Sequence, residues 1–104
     1  MIRNVLAATL ASGAVFAVSA LAQDADPNLG RNLAAACANC HGTNGVSLQG
    51  MPSLHGQQRT YLVQQMQDFK TGKRPATIMH QLAKGYTDEQ IHALATYFSA
   101  QKAR

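Results

Sequence analysis

The string Cys37-Ala38-Asn39-Cys40-His41 constrains this chain more than any other feature. It contains both cysteines of the sequence, two residues apart, with an imidazole directly behind the second. Three chemistries use such a pattern: a disulfide or redox dithiol, half of a zinc site, or covalent attachment of a haem. Each needs a different setting, and the remainder of the chain must supply it.

The N-terminal segment bears on compartment. Arg3 and Asn4 give a short positive start, Val5 to Val18 is mostly apolar, and Ala20-Leu21-Ala22 presents small residues at the positions a signal peptidase reads. Residues 1–22 are therefore expected to be a cleaved signal peptide and 23–104 a single exported domain, placed in the periplasm. The apolar run is short for a membrane span, and no stable span is expected after cleavage. The mature part is 82 residues long, from Gln23 to Arg104, without a tryptophan. Domains of this size bury a modest fraction of their surface and often need a disulfide, a metal or a cofactor to complete the core. With Arg3 removed, eight Lys/Arg stand against five Asp/Glu, with no dense basic run. A nucleic-acid partner is not expected.

Helical periodicity dominates the mature part. Asp26-Pro27-Asn28 opens a helix with Asp26 or Asn28 as N-cap, and Leu29, Leu33 and Ala36 form its apolar stripe as far as Cys37. Gly30 interrupts good helix formers, which costs about 1 kcal/mol relative to Ala and suggests a close backbone approach. Gly42 to Gly56 reads as loop. Gln57 to Lys70 returns to helical spacing through Leu62, Met66 and Phe69, and Gly72 stops it. Lys70 to Gly85 is a basic connection holding a short apolar stretch. Thr87-Asp88-Glu89-Gln90 fits a capping box, followed by the stripe Ile91, Leu94, Ala95, Phe98 of a closing helix that runs to about Gln101. The fold class is all-α: three to four short helices and loops.

This setting decides among the three chemistries. Zinc requires paired ligands, and no two of His41, His55, His80 and His92 form the usual short-spaced second pair. A thioredoxin-like dithiol expects a βαβ surround, and a disulfide across two residues closes almost no loop. Haem c fits: two thiols add to two vinyl groups on one porphyrin edge, and the next imidazole lies under the iron. Cys37 and Cys40 are thus the expected haem attachment sites and His41 the proximal ligand of one covalent haem c. For the sixth position, Met66 sits on a core-facing stripe. Met51 follows His41 by only 10 residues, and Met79, 38 residues beyond His41, has ample chain to reach the far face. Met79 is favoured, with Met51 and a bis-histidine site through His80 as rivals. The carbonyl of Pro52 is the candidate acceptor for the proximal imidazole's N–H, and Tyr61 a candidate partner for a haem propionate. His55 and His92 read as satisfied or surface histidines.

The motifs CANCHG, PSLHGQ, YLVQQMQDFKTGKR, IM and YTDEQIHALATYFS resemble the small class I c-type cytochromes over nearly all of Gly30 to Gln101. That resemblance implies the class I cytochrome c fold around one haem. It also implies attachment at Cys37 and Cys40, axial ligands at His41 and Met79, the Pro52 carbonyl on the proximal imidazole, and Gly30 against Tyr97 and Phe98 where the first and last helices cross. The segment FKTGKRPATIMHQLAKGYTDEQI further resembles the cytochrome subunits of flavocytochrome c sulfide dehydrogenases. In those enzymes a flavoprotein (FAD) subunit oxidises sulfide and a haem subunit removes the electrons. The implied function is outer-sphere electron transfer, with no bond chemistry of its own, as such a subunit; a freely diffusing periplasmic carrier to an oxidase or reductase is the alternative. Lys70, Lys73, Arg74 and Lys84 bracket Met79 and form a candidate docking ring for an acidic redox partner.

Overall fold

The computed structural model describes residues 11–14 and 26–102. Apart from 11–14, the expected signal peptide therefore lies outside the described residues. Among the described residues there is no strand. Four α-helices follow in order, α1 (Leu29–His41), α2 (Arg59–Thr71), α3 (Met79–Lys84) and α4 (Asp88–Ser99), with a 3₁₀ turn at Thr43–Gly45 after α1.

The local signals act as their chemistry dictates. Asn28 occupies the N-cap position of α1 without a side-chain cap bond. Asp26 instead organises the entry, its Oδ1 accepting from the Asn28 N–H at 2.9 Å. Gly72 ends α2 in the left-handed conformation at φ 81°, the conformation glycine adopts without penalty. At α4 both halves of the capping box form: Gln90 N–H donates to Thr87 Oγ1 at 3.1 Å and Thr87 N–H to Gln90 Oε1 at 2.9 Å. Replacing Thr87 by Ala removes one of these bonds and is expected to lower stability by about 1 kcal/mol, read by chemical denaturation.

α1 continues beyond its apolar stripe through His41, up to the loop expected from Gly42, so all three motif residues stand on one helix. Its buried apolar position is Ala34, not Ala36; Ala36 faces an internal cavity. The basic connection contains α3, a helix of only six residues, too short for periodicity to reveal.

α1 and α4 cross at Gly30. A Cβ there would stand 2.4 Å from the Ala93 carbonyl oxygen and 3.1 Å from Tyr97 Cβ, so only hydrogen fits. The neighbour predicted as the pair Tyr97 and Phe98 is thus Ala93 and Tyr97. Phe98 packs instead on Gly45, where a Cβ would meet its Cδ1 at 2.8 Å, and the two rings meet edge to face with centroids 5.4 Å apart. The core gathers Ala34, Leu62, Leu94, Ala95 and Phe98. Ile91 and Ala83 are fully buried.

Candidate functional site

Among the described residues, five of the seven buried apolar ones (Leu62, Ile91, Leu94, Ala95 and Phe98) also line one cavity. The core is a wall around a space rather than a filled interior. The cavity encloses about 1310 Å³ between atoms, part of it open to solvent. Small domains pack to near-crystalline density, so an apolar space of this size in so short a chain is the shape of a missing hydrophobic group.

The candidate attachment, ligand and second-sphere residues gather there: Cys37, Cys40, His41, Met51, Pro52, Tyr61, Met66 and Met79 all line the cavity. His80 does not; it is turned away, with Nδ1 buried and unpartnered. Cys37 and Cys40 are not bonded to each other. Among the described residues no three His, Cys, Asp or Glu side chains assemble as a metal-binding group, which leaves the zinc reading without a ligand set.

The histidine geometry is specific. His41 is buried, and its Nδ1 lies 2.6 Å from the Pro52 carbonyl oxygen. A carbonyl only accepts, so Nδ1 carries the proton and Nε2 keeps its lone pair. Pro52 is held by a network of loop bonds. The Gly45 carbonyl accepts from Leu54 N–H at 2.8 Å and from His55 N–H and Nδ1 at 3.3 Å each. Gly56 N–H donates to the Phe98 carbonyl at 2.9 Å. His55 is therefore a satisfied histidine, as expected from its lack of any ligand partner.

Burial raises the Cys37 thiol above its ordinary value, and the neighbouring Cys40 adds to this, against a backbone hydrogen bond that lowers it. Tyr86 is raised chiefly by burial and secondarily by Cys37.

Sequence reasoning missed three contacts. Tyr97 Oη donates to Asn44 Oδ1 at 2.6 Å, tying α4 to the turn after His41. Asn44 has φ 54°, in the left-handed region that asparagine tolerates better than most residues, and the Thr-Asn-Gly string was the available signal. Lys70 Nζ donates to the Tyr86 carbonyl at 2.5 Å. Arg74 lies over the Phe69 ring and donates to Gln65 Oε1. Of the four cations expected to ring Met79, Lys70 and Arg74 are therefore engaged with the protein's own groups, and Lys73, Arg74 and Lys84 are exposed.

The comparisons with known proteins agree with this site. Residues 28–102 match the family model for cytochrome c, and the chain belongs to the cytochrome c family, electron-transfer domains carrying covalently attached haem c. The cytochrome subunit of sulfide dehydrogenase from Chlorobaculum tepidum is 46% identical over 69 residues, spanning 66% of this chain and 63% of that protein. A thiosulfate dehydrogenase electron acceptor from Stutzerimonas stutzeri is 37% identical over 102 residues, covering 90% of this chain and 47% of its own length. The solved cytochrome c4 of Acidithiobacillus ferrooxidans superposes with a TM-score of 0.60 at 40% identity, over 62% of this chain and 38% of that one. The chain thus spans less than two thirds of each. The cofactor is haem c, and the residues fit it: two thiols and a histidine with a free Nε2 on one wall, methionine sulfurs, and an apolar lining. Among the described residues no helix is long and apolar enough to cross a membrane.

Proposed function

We propose that this chain is an exported, periplasmic one-haem electron carrier, acting as the haem subunit that accepts electrons from a flavoprotein (FAD) partner in sulfide oxidation. The observation that carries the electron-transfer part is the His41–Pro52 bond within a cavity that also receives Cys37, Cys40 and Met79. The subunit role is supported by the similarity to the Chlorobaculum tepidum protein.

Cys37 and Cys40 would hold haem c through thioethers, and His41 through Nε2 and Met79 through Sδ would bind its iron. Met51 adjoins Pro52 in the chain, whose carbonyl receives His41 Nδ1. This tie to His41 favours Met79, at the start of α3, over Met51 as the sulfur that would bind the iron. Haem c bound there supplies a reversible one-electron iron couple. The Pro52 carbonyl fixes the imidazole's tautomer and raises its basicity. Leu62, Ile91, Leu94 and Phe98 exclude water, and Tyr61, 46% exposed at the cavity's edge, hydrogen-bonds a propionate. Among the described residues neither Asp nor Glu lines the cavity, and electron transfer asks for no general acid or base.

A diffusible carrier is the second reading, favoured by the likeness to an electron acceptor of thiosulfate dehydrogenase. Native size-exclusion chromatography of a periplasmic extract, with a visible spectrum across each peak, separates the two. Haem and flavin bands rising together at a size well above the lone chain are the expected result. Haem alone in a small peak would favour the diffusible carrier.

A further inference from the structure

Met79 rides on a stretch of chain with little to hold it. Among the described residues, the hydrogen bonds of Pro75 to Tyr86 stay within that stretch, as Gln81 N–H to the Ile78 carbonyl and Tyr86 N–H to the Ala83 carbonyl do, with one exception. The exception is Lys70, whose Nζ donates to the Tyr86 carbonyl at 2.5 Å. Burial anchors the stretch unevenly. Ala83 is fully buried, but Ile78 and Leu82 are each about half exposed. Ile78, at the N-cap of α3, makes no side-chain cap bond, and a helix of six residues is not stable alone in water.

Lys70 supplies what is missing. It stands half-buried in the last turn of α2, and its stem carries the ammonium across to the point where α3 gives way to α4. Tyr86 follows Gly85, the C-cap of α3, a place where helix carbonyls lack partners and a lysine commonly provides one. A charged donor makes the stronger kind of hydrogen bond. Two residues on, Asp88 Oδ1 accepts from Gln67 Nε2 at 2.8 Å, and Gln67 and Lys70 lie one turn apart on α2. The α3–α4 connection is therefore fastened to α2 at two points. Upstream, the nearest tie is the Arg74 N–H on the Asp68 carbonyl at 3.0 Å, with Pro75 to Ile78 between it and Met79. α3 is thus held from its C-terminal side.

Resting on the haem reading, we propose that Lys70 is a positioning residue for the distal ligand: by pinning the Tyr86 carbonyl to α2, it sets α3 where Met79 meets the iron. Lys70 does not itself line the cavity, so it acts through the backbone of α3 and not on the haem.

The test is the binding of imidazole to the purified ferric holoprotein, read from its visible spectrum, for the wild type, Lys70→Leu and Arg59→Leu. Imidazole reaches the iron only when Met79 is off it, so its apparent affinity scales with the fraction of molecules in that open state. Removing the charge-assisted bond in Lys70→Leu is expected to raise this fraction, and the apparent affinity with it, by about tenfold. Arg59→Leu removes an exposed cation from the opposite end of the same helix and is expected to leave the affinity unchanged. Denaturant titration of each variant gives global stability as a separate readout. A Lys70→Leu protein that binds imidazole no more tightly than the wild type, whatever its stability, overturns the proposal; if it is also less stable, Lys70 has a structural role only. An equal rise in Arg59→Leu overturns it too, because charge and not the tie would be the cause. If Lys70→Leu yields no holoprotein, a crystal structure of the wild-type holoprotein decides: an ammonium on the Tyr86 carbonyl supports the tie, and one in solvent or on a carboxylate overturns it. A wild-type protein without haem would instead defeat the proposed electron-transfer function.

Discussion

A Met79→Ala variant is expected to lose the low-spin spectrum of a six-coordinate haem, bind carbon monoxide rapidly in its ferrous form, and show a midpoint potential lower by about a tenth of a volt or more. A thioether ligand raises the potential of a haem iron, and the axial pair is the largest lever the protein holds over it. Three methionines line the cavity, Met51, Met66 and Met79, so lining alone does not select one. Position does. Met66 belongs to the middle of α2, which supplies core contacts through Leu62. Met51 adjoins Pro52, and the Pro52 carbonyl is bound to His41. Met79 begins α3, a short helix that packs on α2 through its buried Ala83 side and presents Met79 and Leu82 to the cavity. Met51→Ala and Met66→Ala are the controls, each expected to keep the low-spin spectrum. A Met79→Ala protein that kept it, or a Met51→Ala protein that lost it, would reverse the assignment.

The second large effect concerns stability at a site far from the ligands. On helix propensity alone, Gly30→Ala should stabilise α1 by about 1 kcal/mol. The crossing with α4 says otherwise, because the added Cβ would stand 2.4 Å from a backbone oxygen, that of Ala93. A carbonyl in a helix cannot rotate away as a flexible side chain can, so the helices themselves must part. Overpacking of this kind costs about 1–3 kcal/mol and sometimes more, enough to outweigh propensity. Gly30→Ala is expected to be destabilising in net, and Gly30→Val to lose about 3 kcal/mol, a large share of the roughly 5–15 kcal/mol typical of a domain. Because α1 carries Cys37 to His41 and α4 walls the cavity through Ile91, Leu94 and Phe98, parting them also loosens the haem pocket. Denaturant titration of both variants reads the sign directly. A Gly30→Ala protein more stable than the wild type would show that the crossing is not tight.

What the sequence discloses about this molecule divides along the range of the interactions. Gly72 as a stop, Thr87 and Gln90 as a capping box, and the stripe from Ile91 to Phe98 are set by neighbours within a turn or two, and they appear as read. Cys37, Cys40 and His41 stand out in the sequence because their spacing is the one thioether attachment would dictate, and the fold brings all three to one cavity. Gly30 was legible as an anomaly, though its true neighbour, Ala93, was not. The misreadings involve distant partners. Ala36 fits an apolar stripe, yet it faces the cavity, so a space and not another helix lies against this side of α1. α3 has too few residues to show a period, and its position is set by packing against α2. Lys70 and Arg74 look like solvated cations in the sequence. They bind the protein's own groups, Lys70 half-buried and Arg74 at the surface, because the Tyr86 carbonyl, Gln65 and the Phe69 ring lie within reach only once α2 and the connection to α3 are in place.

The most direct measurement on the central claim is the intact mass of the purified, fully denatured chain together with its count of free thiols. Cys37 and Cys40 are the only cysteines, so attachment through both leaves none to titrate. The expected result is a chain heavier by one haem, still coloured after denaturation and acid extraction, with no reactive thiol. A colourless chain of unmodified mass that exposes two thiols would contradict the haem assignment and return the Cys37–His41 motif to dithiol chemistry.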